Sequence, residues 1–200
     1  DGVPLYLQEI CRRLDMDRRE GRSVQFDELP KGLLGLLASR IDQLEADREI
    51  ADGVNVVNAA LKQVEELNGL LAGMDRTTAQ AAALMDDRQR ALDTISEYLP
   101  IEAVPRDGGT IDVVTSEGVY LVAGTAKQLE FTPGNAFGPN MTVDNGALSK
   151  LMVGDLELTP GASSYAAVSS GMFGALFTLR DADLPAFGAQ LDTIANDLVS

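Results

Sequence analysis

With 200 residues the chain can bury a sizeable core in one or two domains, and its 45% hydrophobic and 24% charged residues are ordinary for a soluble protein. Its net charge of −15 argues against binding to nucleic acids or anionic membranes, because both attract positive potential. The absence of histidine removes the commonest general base and the most frequent zinc ligand. We therefore predict a protein that is not an enzyme, with no catalytic residues and no cofactor.

Metal sites, disulfides and membrane spans also find no support in the sequence. Acidic residues could hold calcium, but Asp15 and Asp17 are followed by two arginines and no EF-hand loop occurs, so we predict no metal site. Cys11 is the only cysteine, so no disulfide can form within the chain. No run of 18 apolar residues and no basic-then-apolar start is present, which argues against a membrane span and a signal peptide. The chain starts at Asp1 without methionine, as a fragment of a longer protein would.

Residues 1–45 predict two short helices, one after Pro4 and one after Pro30. The two segments, GVPLYLQEI and LPKGLLGLLASRIDQL, resemble the helical segment downstream of the nucleotide-binding core in large signalling ATPases. This resemblance implies an alternative function, a helical regulatory module of a cytoplasmic signalling ATPase or transcription regulator. ATP binding does not follow, because the chain contains no G-x-x-x-x-G-K-[ST] loop.

A long helix is predicted over residues 50–71. Its apolar residues recur at spacings of four or three, as in a helix that lies along another helix: Ile50, Val54, Val57, Leu61, Val64, Leu67 and Leu71. Gly53 and Gly69 are each expected to weaken this helix, by about 1 kcal/mol relative to alanine. Three asparagines lie beside the apolar seam and are predicted to be solvated: Asn55, Asn58 and Asn68.

The next helix is predicted over residues 80–100 and ends at Pro100. Its apolar stripe consists of Leu84, Ala91, Leu92, Ile95, Tyr98 and Leu99. A short turn at Gly73 makes the two helices antiparallel neighbours. Arg88 lies beside the stripe and has two interpretations. It pairs with a carboxylate of the last helix, with Asp181 the first choice, or it covers apolar surface with its stem while its head stays in water.

From residue 101 the apolar period changes from helical towards two, and turn residues recur at the spacing of a small antiparallel β domain. The predicted strands are 101–104, 111–113, 119–122, 128–132, 141–143, 148–153 and 156–158. Gly118, Gly124 and Gly134 do not form a dinucleotide-binding fingerprint and are interpreted as turns. The serines at 163–164 and 169–170 lack a G-x-S-x-G context, so no nucleophile is predicted.

The last stretch returns to helical spacing. Its apolar residues are Leu184, Phe187, Leu191, Ile194 and Leu198. Pro185 is expected to end or restart a helix near Asp183. We predict that this helix and the helix over residues 84–99 both pack against residues 50–71, because none of the three apolar seams can be buried alone.

Two blocks of sequence resemble the flagellar hook-associated protein at the hook–filament junction, a relative of flagellin. The first contains LMDDR and LDTIS in the helix that precedes the β domain, and the second contains LRD, LP and QLD in the last helix. The resemblance covers about residues 46–200. Two explanations remain for the residues before it: a fusion with a join near residues 43–48, which is the favoured one, or a family helix whose sequence has diverged. It implies an α+β fold, an antiparallel long-helix bundle with an inserted small antiparallel β domain.

The resemblance also implies a domain division and a function. The expected parts are 1–45, a short helical segment of uncertain origin; 46–100, a long antiparallel helix pair; 101–160, the β domain; and 161–200, the return helix. The implied function is structural, connecting hook and filament by self-assembly, with the hook protein, a second junction protein and further copies as partners. The implied location is the extracellular flagellum, reached without a cleaved signal peptide. Since the polymerising terminal helices of the family have no counterpart here, the fragment is expected to be monomeric.

Overall fold

The computed structural model describes residues 31–134 and 148–199. Its first helix, α1, runs from Lys31 to Leu71, and 41 residues at the usual rise make it about 60 Å long. Two separate helices were predicted over this stretch, with a join at residues 43–48, but the helix passes through that point without a break. The helix predicted after Pro4 and the strand predicted at 141–143 lie outside the described residues.

Helix α2 runs from Ala79 to Tyr98 and packs along the C-terminal half of α1. It begins at Thr78, whose hydroxyl accepts a hydrogen bond from the N–H of Ala81 at 3.1 Å. The seven seam residues of α1 are buried. Five of them share one hydrophobic cluster with residues of α2 and its C-cap: Ile50, Val54, Val57, Leu61 and Val64 with Ala91, Leu92, Ile95 and Leu99. The predicted packing of these two helices is therefore confirmed.

Gly53 permits a close approach between α1 and two aromatic rings. A Cβ atom at this position would lie 2.6 Å from the Tyr98 ring and 3.0 Å from the Phe173 ring. The two rings are tilted against each other with their centroids 5.3 Å apart. Gly53 therefore has a packing role that offsets its weak helix propensity, whereas Gly69 has no neighbour within 4 Å of its Cβ position.

The β segment forms two small antiparallel sheets. The first contains β1 (Ile101–Pro105), β2 (Ile111–Thr115), β3 (Tyr120–Ala123) and β4 (Thr125–Ala126), in that order, with a 3₁₀ turn at Asp107–Gly109 between β1 and β2. The second contains β5 (Leu129–Glu130), β6 (Met152–Val153) and β7 (Leu156–Glu157). Val113, Leu121 and Val153 belong to the same hydrophobic cluster as the helices, so both sheets pack on the bundle.

The chain returns to the helices through α3 (Gly171–Thr178), a π turn (Leu179–Asp183) and α4 (Leu184–Val199). Helix α4 contacts α1, and Pro185 lies in its first turn. The π turn that leads into α4 bonds to Gln43 and Asp47, which precede residues 50–71, so the packing of α4 on residues 50–71 stays a prediction. Phe187 was predicted to be a core residue, but 53% of it is exposed, and the neighbouring Gly188 is buried instead. The side chains of Leu191, Ile194 and Leu198 lie outside the described part. The α+β fold with an inserted β region is confirmed.

Candidate functional site

The charged side chain of Arg180 is fully buried where the β segment returns to the helices. It lies in the π turn between α3 and α4, and 0% of its side chain is exposed. A guanidinium removed from water needs partners for its charge and for its N–H groups, because an unpaired buried charge is costly. These partners come from α1, from the π turn itself and from the segment that precedes β6.

Two aspartates share the charge of Arg180. Its Nη1 atom donates to Asp47 Oδ1 of α1 at 2.6 Å. Its Nε and Nη2 atoms donate to the two carboxylate oxygens of Asp181, at 2.5 and 3.0 Å, in the bidentate geometry that favours arginine over lysine. Nη2 also donates to the main-chain oxygen of Ser149 at 3.1 Å. Arg180, Asp47, Asp181 and Ser149 form the arginine junction. It joins α1, the π turn and the segment that precedes β6.

Two aromatic rings cover the guanidinium of Arg180. Its central carbon lies 4.5 Å from the ring centre of Phe177 and 5.7 Å from that of Phe131. The rings meet edge to face, with centroids 5.8 Å apart and planes at 84°. Both rings attract the cation by their faces and exclude water, which strengthens the ion pairs beside them.

Helix α1 also holds main-chain groups at the junction. Gln43 Nε2 donates to the main-chain oxygen of Arg180 at 3.1 Å, and Asp47 Oδ2 accepts from the N–H of Gly134. A π turn shifts the helical hydrogen-bond pattern, so a carbonyl in it gains from an outside donor. Gln43 and Asp47 are one helical turn apart and project together from α1. Their contacts fix the position of the π turn, and so of the start of α4, relative to α1.

Two asparagines of α1 bind main-chain groups of the β segment. Asn58 donates to the carbonyl of Leu129 at 2.9 Å and accepts from its N–H at 2.7 Å. Asn68 makes the same pair of bonds with Ile111, at 2.8 and 3.1 Å. Each amide thus serves one strand residue as the donor and acceptor that a neighbouring strand would provide. The paired bonds fix the position of each sheet along α1.

These contacts form a line on α1, the polar stripe, which consists of Gln43, Asp47, Asn58, Glu65 and Asn68. Glu65 contributes by accepting from the N–H of Ala126 at 3.0 Å. The prediction of solvated asparagines was correct for Asn55 and wrong for the other two, because the strands cover that side of the helix. The sequence contained a signal for this, since polar residues recur along one border of the apolar seam.

Arg88 does not contact Asp181, so the predicted pairing was wrong. Its Nη1 atom donates to Asn68 Oδ1 at 3.0 Å and to the carbonyl of Gly109 at 2.9 Å. Asp181 belongs to the arginine junction beside residue 47 of α1. Residues 47 and 68 are separated by about 30 Å of helix, a distance that no pair of side chains spans.

The other residues considered from sequence lie in turns or outside the described part. Gly118 and Gly124 have φ values of 89° and 80°, in keeping with their interpretation as turn residues. Ser169 Oγ donates to Glu117 Oε1 at 3.2 Å. Within residues 31–134 and 148–199, no three acidic or cysteine side chains gather as metal ligands would. None of the described helices is both long and apolar enough to cross a membrane. Asp15, Asp17 and Cys11 are outside the described residues.

Comparison with known proteins gives one consistent result. The family model described as "flagellar hook-associated protein FlgK helical domain" matches residues 36–200. Flagellar hook-associated protein 1 of Salmonella typhimurium and that of Salmonella typhi are each 29% identical over 138 residues, and the Escherichia coli protein is 28% identical over the same length. Each match covers 68% of this chain and 24% of the relative, so the chain spans about a quarter of their length.

A solved structure shows the same fold. The flagellar hook junction protein FlgK from Burkholderia pseudomallei superposes with a TM-score of 0.52 at 18% identity, over 74% of this chain and 26% of that one. The family match begins at residue 36 and so includes ten residues that were expected to lie outside the resemblance. This agrees with the unbroken course of α1 through residues 43–48. The chain belongs to the family of the flagellar hook-associated protein FlgK helical domain.

Proposed function

We propose that the full-length protein is a structural subunit of the bacterial flagellum that connects hook and filament, and that residues 36–200 are its helical domain. The observation that carries this proposal is the family match over those residues. The names of the relatives, hook-associated protein and hook junction protein, point to the same position in the flagellum.

The geometry supports a mechanical role. A connector must keep its shape under load, and the structure has a helix of 41 residues with a β segment attached along it by side-chain bonds to the main chain. The arginine junction, in addition, ties the return segment to the same helix. The most deeply buried charged groups are thus used for internal contacts. We infer that the protein is not an enzyme.

The proposed partners are the hook protein, the second junction protein and further copies of the same subunit. The proposed location is outside the cell, reached by the flagellar export apparatus without cleavage of a signal peptide. By itself this 200-residue chain should be monomeric at moderate salt, because a net charge of −15 repels copies of itself. Light scattering of the chain tests this, and ordered rings or filaments would contradict it.

A deletion and complementation experiment tests the proposed function. Removal of the full-length gene from the bacterium that carries it should leave hooks without filaments and release filament protein into the medium. The wild-type gene should restore attached filaments, and a gene that lacks residues 36–200 should not. Normal attached filaments in the deletion strain would overturn the proposal. Attached filaments together with altered gene expression would overturn it in favour of a regulatory role.

A further inference from the structure

Two arginines without a carboxylate partner meet at the turn between α1 and α2. Arg88 lies against the carbonyl of Gly109 at 2.9 Å, and Arg76 Nε lies 3.2 Å from the position that a Cβ atom of Gly109 would occupy. Gly109 has a φ of 90° and no side chain, so both guanidinium groups can approach its backbone. The residue therefore brings two positive charges to the same small area of the surface.

In the described part of the chain neither arginine makes an ion pair. Arg88 uses only Nη1, on two neutral oxygens, and no bond of its Nε or Nη2 falls within these residues. Asp75, next to Arg76 in sequence, instead accepts from the N–H and the hydroxyl of Thr77, at 2.9 and 2.8 Å. Asp87, next to Arg88, pairs with Arg90. The remaining N–H donors of Arg88 are therefore available to an anion.

The electrostatic surroundings of Arg88 contrast with those of Arg106. Burial lowers the pKa of Arg88 and the positive charge of Arg76 lowers it further, so the local field disfavours its charge. Arg106 bonds to Asp112 with Nε–Oδ2 at 2.6 Å, and this hydrogen bond, with the aspartate's charge, raises the pKa of Arg106. In a chain with 31 acidic residues, an uncompensated pair of arginines is an unusual arrangement.

We propose that Arg76 and Arg88 form a binding site for one oxyanion, which is either a free phosphate or sulfate ion or a carboxylate side chain from a second copy of this chain. The shared chemistry is a planar or tetrahedral group of oxygens that accepts from two guanidinium forks. Binding would neutralise the repulsion between the two arginines. This inference goes beyond the junction role and does not depend on it.

The test follows the Nε–H NMR signals of both arginines in the full 200-residue chain, titrated with sodium sulfate and with sodium chloride at equal ionic strength. Sulfate should move the Arg88 signal saturably, with a dissociation constant in about the millimolar range. Arg76→Gln is exposed and should weaken binding about tenfold without affecting folding. Arg88→Lys keeps the positive charge but loses the forked N–H donors of the guanidinium group, so sulfate binding should weaken in this variant also. Arg90→Gln, on the same helix and in an exposed pair with Asp87, is the matched control and should leave binding unchanged.

A second arm identifies the source of the oxyanion. If a second copy supplies it, sedimentation in low-salt chloride buffer should show a mass that rises with concentration, and both Arg76→Gln and added sulfate should abolish that rise. If the ligand is a free ion, sulfate should bind while the chain stays monomeric. Equal shifts in sulfate and chloride, or equal sulfate binding in Arg76→Gln and wild type, would overturn the proposal. So would the absence of any binding in both arms.

Discussion

The α1–α2 interface and the arginine junction hold the same long helix by opposite chemistry. Along the interface, apolar residues such as Ile50, Leu61 and Ile95 interdigitate, and their burial contributes most of the stability. At the junction, Arg180 and Asp47 bury full charges that gain little net free energy, because desolvation offsets their attraction. An apolar seam tolerates small displacements, whereas a bidentate ion pair has one geometry. The seam therefore supplies stability, and the junction fixes the direction of the return segment.

Breaking the junction from one side should have the largest effect. Arg180→Met removes the cation and leaves the Asp47 carboxylate buried, 1% exposed, so we expect a loss of about 3–5 kcal/mol in the free energy of unfolding. Arg90→Met breaks an exposed pair on α2 and should cost at most about 1 kcal/mol. Urea unfolding measures both. An equal, small loss in the two variants would contradict a role for the buried pair.

A double variant separates stability from direction. Arg180→Met combined with Asp47→Leu replaces the most deeply buried pair by apolar side chains. It should recover part of the lost stability, because Asp181 and the N–H of Gly134 still lack their partners. We still expect the distance between spin labels on α1 and α4 to become broadly distributed, since the directional bonds are gone. A distribution as narrow as that of the wild type would show that packing alone directs α4.

The apolar side of the comparison is tested by truncating the seam. Leu92→Ala removes a buried side chain from α2 and should cost about 2–5 kcal/mol, the range for buried leucines. Leu70→Ala on α1 is the control, because this leucine is 57% exposed and should have little effect. Thermal unfolding that shows equal, small changes for both would refute the packing of the two helices.

The seam could be predicted from the sequence, and the junction could not. Periodic apolar residues such as Val57 and Val64 depend only on their neighbours on the same helix, so spacing alone identifies them. The burial of Arg180 depends on Asp47 and Ser149, which are 133 and 31 residues away in the chain. The assignment of Arg88 to Asp181 failed for the same reason, since the order of segments along α1 is a tertiary property.

The asparagines provide an intermediate case. Asn68→Ala would leave the N–H and carbonyl of Ile111 and one donor of Arg88 without their partner, so we expect a loss of about 1–3 kcal/mol. Asn55→Ala, on the exposed side of the same helix, should change the free energy of unfolding by less than about 0.5 kcal/mol. Urea unfolding of the two variants compares them directly. Similar losses in the two variants would mean that water replaces the hydrogen bonds of Asn68 without any loss in the free energy of unfolding.

Asp75 makes exposed polar contacts, and the change in stability expected from its substitution is the smallest of those considered. Its carboxylate accepts hydrogen bonds from the N–H and the hydroxyl of Thr77. Both bonds lower the pKa of Asp75, and the bond from the N–H has the larger effect. A carboxyl group whose pKa is lower in the folded state stabilises the fold above its unfolded pKa, and this contribution is lost as pH falls through the folded pKa. An NMR titration should therefore give Asp75 a pKa below the ordinary range for aspartate. Thr77→Ala keeps the N–H and removes the hydroxyl, so it should raise the pKa of Asp75 only part of the way to the ordinary value. Since Asp75 is fully exposed, Asp75→Asn should alter acid unfolding far less than Arg180→Met alters unfolding by urea. A larger effect at Asp75 would mean that burial does not determine how much each polar contact contributes.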